Sequence, residues 1–169
     1  MPFLVAAVVL VGLVGALNLL LTFGVMRRLR EQPAAPQARG MEPELRPGMR
    51  ADVFTATTTA GKQVSDTDVR GLVGFFSAGC APCHTLAPRF VERASTLDRD
   101  GVLAVVAGDD AELVALLSPV ARVVLEDFDG AVQAAFHNSW TPAVYLLDDA
   151  GRVVAGGNRM GDLPSETHA

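Results

Sequence analysis

The two cysteines of this 169-residue chain are separated by two residues, in the stretch Gly79-Cys80-Ala81-Pro82-Cys83. A short apolar run of buried-strand type, residues 72–76, comes directly before the stretch, and a helical pattern follows it. At the N-terminus of a helix, unpaired backbone N–H groups and the helix dipole favour a thiolate over a thiol. We therefore predict that Cys80 is a nucleophile and that Cys83 resolves the mixed disulfide that Cys80 forms.

The residues around the two cysteines support this chemistry over its alternatives. Gly79, Ala81 and Pro82 form the predicted active-site loop, and Pro82 suits the first helical turn, where its missing N–H would have no partner. A purely structural disulfide is disfavoured because a bridge across two residues closes too small a loop to constrain the unfolded chain. Zinc would need about four ligands, and besides the pair the chain has only three histidines. We expect neither a metal nor a cofactor.

The elements that must position the pair alternate along the chain. The pattern predicts an α/β layer with parallel crossovers, closed by an antiparallel hairpin. Strands are expected at 53–57 and after residue 62, where the two segments form a hairpin, and then at 72–76, 102–106, 123–125, 143–147 and 152–155. Helices are expected from the motif to about residue 94, at 111–117 and at 131–136.

The stretch from Phe75 to Pro88 resembles the active-site region of the thioredoxin superfamily. It is most similar to the membrane-anchored TlpA/ResA-type branch and to the thioredoxin-like accessory protein of methylamine utilisation. A second block, Trp140-Thr141-Pro142 followed by a strand and a Gly turn, is similar to the family in order and spacing. The resemblance covers residues 47–157 and implies a thioredoxin-like fold, with a central mixed sheet flanked by helices.

The resemblance also implies the substrate site. Pro142 would have a cis peptide bond and face the cysteine pair, exposing the Thr141 backbone for β-type pairing with an extended segment of a partner. Trp140 is the third expected substrate-binding residue, although packing beside the site is its more ordinary role.

Three positions depart from the family pattern. An aromatic residue usually precedes the first cysteine, where this chain has Gly79. A buried acid usually stands six residues before that cysteine, and the ResA-type branch has a glutamate three residues after the second one; these positions are Gly74 and Leu86. The usual proton acceptors are therefore absent. His84 is expected to be a surface residue rather than their replacement.

The segment from Phe3 to Met26 contains no charged residue. A helix of this length measures about 36 Å, enough to cross a hydrocarbon core of ~30 Å. No basic residue precedes it, and three arginines, Arg27, Arg28 and Arg30, follow it. These features favour an uncleaved transmembrane anchor over residues 1–26, rather than a cleaved signal peptide or a buried helix. Residues 27–46, rich in Pro, Ala and Gln, form the expected linker, and residues 47–169 the domain.

The location of the domain is predicted differently by two arguments. The arginines after the anchor favour the cytoplasmic side, whereas the family resemblance favours the extracytoplasmic side, where disulfides persist. We expect a single-pass protein of the cell membrane with an extracytoplasmic domain. Residues 47–169 carry nine Lys and Arg against sixteen Asp and Glu, a net charge of −7. Such an acidic domain excludes a nucleic-acid partner.

The expected partners are a disulfide- or dithiol-containing protein, a membrane or soluble redox donor, and the bilayer around residues 3–26. The direction of electron transfer is open. The alternative is a copper carrier or assembly factor with a thioredoxin fold, using the cysteines with His137 or His168, although such proteins usually space their cysteines by three residues. After residue 155 the sequence offers at most one helical turn, which predicts a shortened C-terminus and a partly bare sheet.

Overall fold

The computed structural model describes residue 12 and residues 45–164. Residues 45–164 belong to the second of two units into which the chain divides, Met41–Ala169. Apart from residues 12, 45 and 46, the predicted anchor and linker lie outside the described residues. Among the residues that are described, no helix is both long and apolar enough to cross a membrane.

Seven strands and three α-helices form the described domain. The strands are β1 Thr55–Thr57, β2 Gln63–Ser65, β3 Gly71–Ser77, β4 Leu103–Ala107, β5 Arg122–Glu126, β6 Ala143–Leu147 and β7 Val153–Gly157. The helices are α1 Ala81–Ala94, α2 Ala111–Leu117 and α3 Ala131–Ala135. Short 3-10 turns lie at Asp66–Asp68, Arg99–Gly101 and Met160–Asp162. The predicted alternation of strands and helices is confirmed.

The main sheet has five strands in the order β5-β4-β3-β6-β7. Strands β3, β4 and β5 are parallel, while β6 is antiparallel to β3 and β7 is antiparallel to β6. The parallel part and the closing hairpin both agree with the sequence pattern. Because Phe75 pairs with Ala143, the end of β3 lies beside the start of β6. This pairing brings the cysteine motif, which follows β3, next to Pro142, which precedes β6.

Alternate residues of each strand point to opposite faces of the sheet and build two cores. On one face, Leu72 and Phe76 of β3 pack with Phe90 of α1 and Leu113 of α2. On the other face, residues such as Phe75 pack with α3 and with the β1–β2 hairpin. Helices therefore cover both faces, with the central strand β3 buried between them.

The C-terminal segment differs from its expectation in one respect. It contains no helix beyond the turn Met160–Asp162 within the described residues, as the glycines and proline indicated. Its Leu163 is nevertheless only 4% exposed and belongs to the core on the α1 face, where Met160 also packs. Part of the sheet face that we expected to be bare is therefore covered, because two apolar side chains of the tail reach the core.

Candidate active site

A disulfide joins Cys80 and Cys83 at the N-terminus of α1. Their Cα atoms are 5.2 Å apart. Cys80 is the N-cap residue, and its Sγ accepts a hydrogen bond of 3.2 Å from the backbone N–H of Cys83. The sulfur of Cys80 thus accepts a hydrogen bond from a backbone N–H group. Donors of this kind stabilise a thiolate at a helix N-terminus.

The two sulfurs differ in exposure. Cys83 is completely buried, whereas Cys80 is only partly buried at the edge of the same core. A partner molecule can therefore reach Cys80 first. This asymmetry agrees with the predicted roles of nucleophile and resolving cysteine.

Gly79 lies in the loop that connects β3 to α1. Its φ is +70°, and a Cβ atom placed there would meet no other heavy atom within 4 Å. The backbone conformation, rather than lack of space, therefore favours glycine at this position. The sequence departure noted at Gly79 thus has a conformational explanation.

Gly74, where the family carries a buried acid, lies against two aromatic rings. A Cβ atom at this position would lie 2.6 Å from Phe90 Cε2 and 2.8 Å from Phe76 Cε2. The two rings contact each other edge to face, with centroids 5.3 Å apart. The space where an acidic side chain would begin is thus filled. The third departure, Leu86, is 7% exposed and packs in the same apolar core as Cys83.

The Thr141–Pro142 peptide bond is cis, as the family resemblance implied. Thr141 also contacts the other half of the site, because its Oγ1 lies 2.6 Å from Ser77 Oγ, at hydrogen-bonding distance. Ser77 is the last residue of β3 and is 3% exposed. The sequence argument missed Ser77; the available signal was a single hydroxyl at the end of an otherwise apolar strand, directly before the motif.

A groove with a volume of about 630 Å³ runs beside the disulfide. The predicted site residues Ala81, Pro82 and Pro142 line it, together with Leu86 of α1. Its remaining lining residues are Thr85, Arg89, Asn158, Arg159 and Met160. The structure thus brings the motif and the cis-proline loop together around one groove.

Trp140 does not line this groove. It packs against the core on the opposite sheet face, and its carbonyl accepts a hydrogen bond of 2.8 Å from Asn138 Nδ2. Its proposed contact with a substrate stays a prediction.

The two histidines within residues 45–164 each pair with a separate aspartate. His84 Nε2 lies 3.2 Å from Asp110 Oδ2, and Asp110 also caps α2 through the Leu113 N–H. His84 is thus a partly exposed residue that links α1 to the start of α2. His137 Nε2 lies 3.0 Å from Asp52 Oδ2.

The copper alternative depends on a set of metal ligands. Residues 12 and 45–164 contain no cluster of three or more His, Cys, Asp or Glu side chains that could hold a metal ion. His168 lies outside the described residues.

Glu126 carries a perturbed carboxyl group at the end of β5. Burial raises its pKa from the ordinary value of 4.5, while hydrogen bonds from the backbone N–H groups of Val132 and Gln133 oppose the shift. Gly130 leaves room for this carboxyl, because a Cβ atom there would overlap Glu126 Cδ.

Comparison with known proteins finds similarity at the level of structure. No protein-family model matches the chain, and no curated protein matches it. The thioredoxin domain of a thiol-disulfide oxidoreductase from Bacteroides vulgatus is 24% identical, with a TM-score of 0.56 over 71% of this chain and 94% of that one. A thiol:disulfide interchange protein from Bacteroides sp. is also 24% identical, with a TM-score of 0.56 over 70% of this chain and 85% of that one.

A third solved structure has the same fold. It is described as a thiol:disulfide interchange protein DsbE from Chlorobium tepidum, and it is 22% identical, with a TM-score of 0.54 over 70% of this chain and 91% of that one. Similarity at these identities shows the fold, and the predicted fold class is confirmed in its α/β domain. Residues 45–164 have a thioredoxin-like fold and carry a Cys-x-x-Cys pair at the start of helix α1.

Proposed function

We propose that the protein is a thiol–disulfide oxidoreductase that exchanges disulfides with partner proteins. One observation carries the proposal: the Cys80–Cys83 disulfide lies at a helix N-terminus, with Cys80 partly exposed and Cys83 buried, and the adjoining residues Ala81 and Pro82 line a groove together with Pro142. The disulfide-exchange activity named for the structurally similar proteins points in the same direction.

The exchange balances without a cofactor. In the reduced protein, the Cys80 thiolate attacks one sulfur of a partner disulfide, forms a new S–S bond and releases the other partner sulfur as a thiolate. The Cys83 thiolate then attacks Cys80 Sγ, which restores the Cys80–Cys83 bond and releases the second partner sulfur. Two electrons pass to the partner, and the two protons lost by the cysteines end on its thiols. The reverse sequence oxidises a partner dithiol.

The cis-proline loop offers a backbone for the partner to pair with. Within residues 45–164, no backbone hydrogen bond involves the N–H or the C=O of Thr141. Its side chain is held by Ser77, and the next residue, Pro142, lines the groove. An extended partner segment can add to the Thr141 backbone by β-type pairing, which places its sulfur against Cys80.

The finer assignments belong to the same proposal. Similarity to the TlpA/ResA-type branch rests on the motif region, whereas Gly74 and Leu86 depart from the family pattern; the apolar residue at position 86 favours the methylamine-utilisation relatives. We propose that residues 3–26 anchor the protein in the cell membrane with an extracytoplasmic domain, where a membrane or soluble dithiol donor regenerates Cys80 and Cys83. No observation favours the copper-carrier alternative.

Single-turnover exchange tests the proposal. The reduced full-length chain, in a nonionic detergent, is mixed with a peptide disulfide, and products are identified by intact mass. Wild type should yield peptide thiol and oxidised protein, Cys83→Ser should stop as a covalent adduct through Cys80, and Cys80→Ser should form no adduct. The proposal is wrong if Cys83→Ser forms no adduct while its Cys80 still reacts with iodoacetamide.

A further inference from the structure

Two arginines border the groove beside the disulfide. Arg89 comes from α1 and Arg159 from the segment after β7, and both are exposed. They lie in a domain whose net charge over residues 47–169 is −7. A local pair of positive charges in an acidic domain is a feature that the exchange chemistry itself does not require.

Neither guanidinium is used by the fold. Five other arginines, Arg70, Arg93, Arg99, Arg122 and Arg152, each donate a side-chain hydrogen bond to a backbone carbonyl of the domain. Among the described residues, the guanidinium groups of Arg89 and Arg159 donate no hydrogen bond and form no ion pair. The nearest acid in sequence to Arg159 is Asp162, whose Oδ2 accepts the backbone N–H groups of Asn158 and Arg159.

Much of the groove lining is apolar. Pro82, Leu86, Pro142 and Met160 all line it, so the groove can bury apolar side chains of an extended segment. The arginines add a positive charge at its border. Charge complementarity therefore favours a partner segment with an acidic side chain over a neutral or basic one.

Arg89 lies within reach of a segment bound at the disulfide. Its Cα lies nine residues beyond Cys80, about 13 Å along the helix axis and half a turn round it. Helical side chains lean towards the N-terminus, so an extended segment that starts at the disulfide reaches this part of the groove within a few residues at ~3.3 Å each.

We infer that Arg89 and Arg159 select partner polypeptides that carry an acidic side chain within a few residues of the reacting cysteine. This inference rests on the proposed function, because the acid is recognised while the partner's sulfur lies at Cys80. Arg89 and Arg159 determine specificity and take no part in bond making or breaking.

Exchange with charge-matched peptides tests the inference. Ten-residue peptides each carry one cysteine as a mixed disulfide with 2-mercaptoethanol, with Glu, Gln or Lys three residues before or three residues after it. Second-order rates are measured with the reduced full-length chain in a nonionic detergent. At low salt, wild type should react about tenfold faster with the better-placed Glu peptide than with its Lys counterpart, and 0.5 M NaCl should reduce the ratio.

Two double variants show whether the arginines cause the preference. Arg89→Gln/Arg159→Gln should react equally with both peptides, and Arg89→Glu/Arg159→Glu should prefer the Lys peptide. The matched control is Arg46→Glu/Lys62→Glu, which changes the net charge equally at exposed positions outside the groove and should keep the wild-type ratio. If charge reversal impairs folding, Arg89→Gln/Arg159→Gln still shows whether the preference for the Glu peptide depends on the two arginines.

Failure of the inference differs from failure of the proposed function. Equal wild-type rates with Glu and Lys peptides would overturn the selection of acids while leaving the exchange activity intact. Absence of exchange with every peptide would instead remove the activity itself. If sedimentation showed that Arg89→Glu/Arg159→Glu converts an oligomer to a monomer without altering the peptide ratio, the groove would be an interface between copies of the chain, and the inference would be wrong.

Discussion

The substitution Gly74→Ala tests whether aromatic packing explains the missing buried acid. The new methyl group would lie 2.6 Å from the Phe90 ring and 2.8 Å from the Phe76 ring. Both rings are completely buried, so neither can swing into solvent. Overpacking of this kind costs typically ~1–3 kcal/mol, against a gain of roughly 0.5–1 kcal/mol from replacing a strand glycine by alanine. We expect a net loss of about 1–2 kcal/mol.

Urea unfolding of the oxidised full-length chain measures this loss. The midpoint should fall by about 0.5–1 M with an unchanged slope. The matched control is Gly161→Ala, where a Cβ meets no heavy atom within 4 Å; its stability should stay within about 0.5 kcal/mol of wild type.

The same measurement in a Phe90→Leu background identifies the ring as the cause. Leucine removes the ring edge that the new methyl group meets, so Gly74→Ala should cost less there, with a coupling energy of about 1 kcal/mol. A cost that is equal in both backgrounds, or a Gly74→Ala protein as stable as wild type, would refute the steric explanation.

Three further predictions concern the site, its surroundings and the anchor. Ser77→Ala removes the hydroxyl that holds Thr141, so it should slow peptide-disulfide exchange several-fold, whereas Ser65→Ala should not. Burial raises the pKa of the Glu126 carboxyl, so the folded protein binds the carboxyl proton more tightly than the unfolded chain does. The stabilisation that this proton provides is full below about pH 4.5 and is lost as pH rises through the raised pKa. The free energy of unfolding of wild type minus that of Glu126→Gln, measured by urea titration, should therefore decrease from pH 4 to pH 7, and an increase would contradict the shift. An impermeant thiol reagent should label reduced Cys80 in intact cells; labelling only after lysis would place the domain in the cytoplasm.

The order of strands and helices could be predicted because apolar runs and helical periodicity are local features of the sequence. The apolar run 72–76 indicated β3, and tertiary pairing extends that strand by one residue at each end, since Gly71 pairs with Leu147 and Ser77 pairs with Ala107. Glycine and serine are weak strand formers, so propensity alone could not include them.

Strand β7 shows a second limit of the sequence argument. It was expected to end at residue 155 and instead continues to Gly157. Gly157 is required by packing, because a Cβ atom there would overlap the side chain of Asp162. The contact is between β7 and the turn that follows it, and their close packing is seen only in the folded chain.

The contacts that complete the site are mostly long-range. The Ser77–Thr141 hydrogen bond joins residues 64 positions apart, and the groove needs α1, Pro142 and the segment after β7 together. The motif identified the reacting atoms because its spacing is local. The Ser77–Thr141 hydrogen bond and the groove could not be predicted from the sequence, because both depend on the pairing of β3 with β6.

The absence of the family's two acids has a physical consequence for the proposed cycle. Gly74 admits the Phe90 ring, and Leu86 adds a second apolar side chain to the core that buries Cys83. Neither position can accept the proton of a Cys83 thiol. His84, the nearest titratable neighbour in sequence, is already paired with Asp110. In the proposed mechanism, the Cys83 proton therefore leaves through solvent or through the thiolate that the partner releases. Where the released thiolate takes this proton, the partner contributes to the resolving step as well as to recognition.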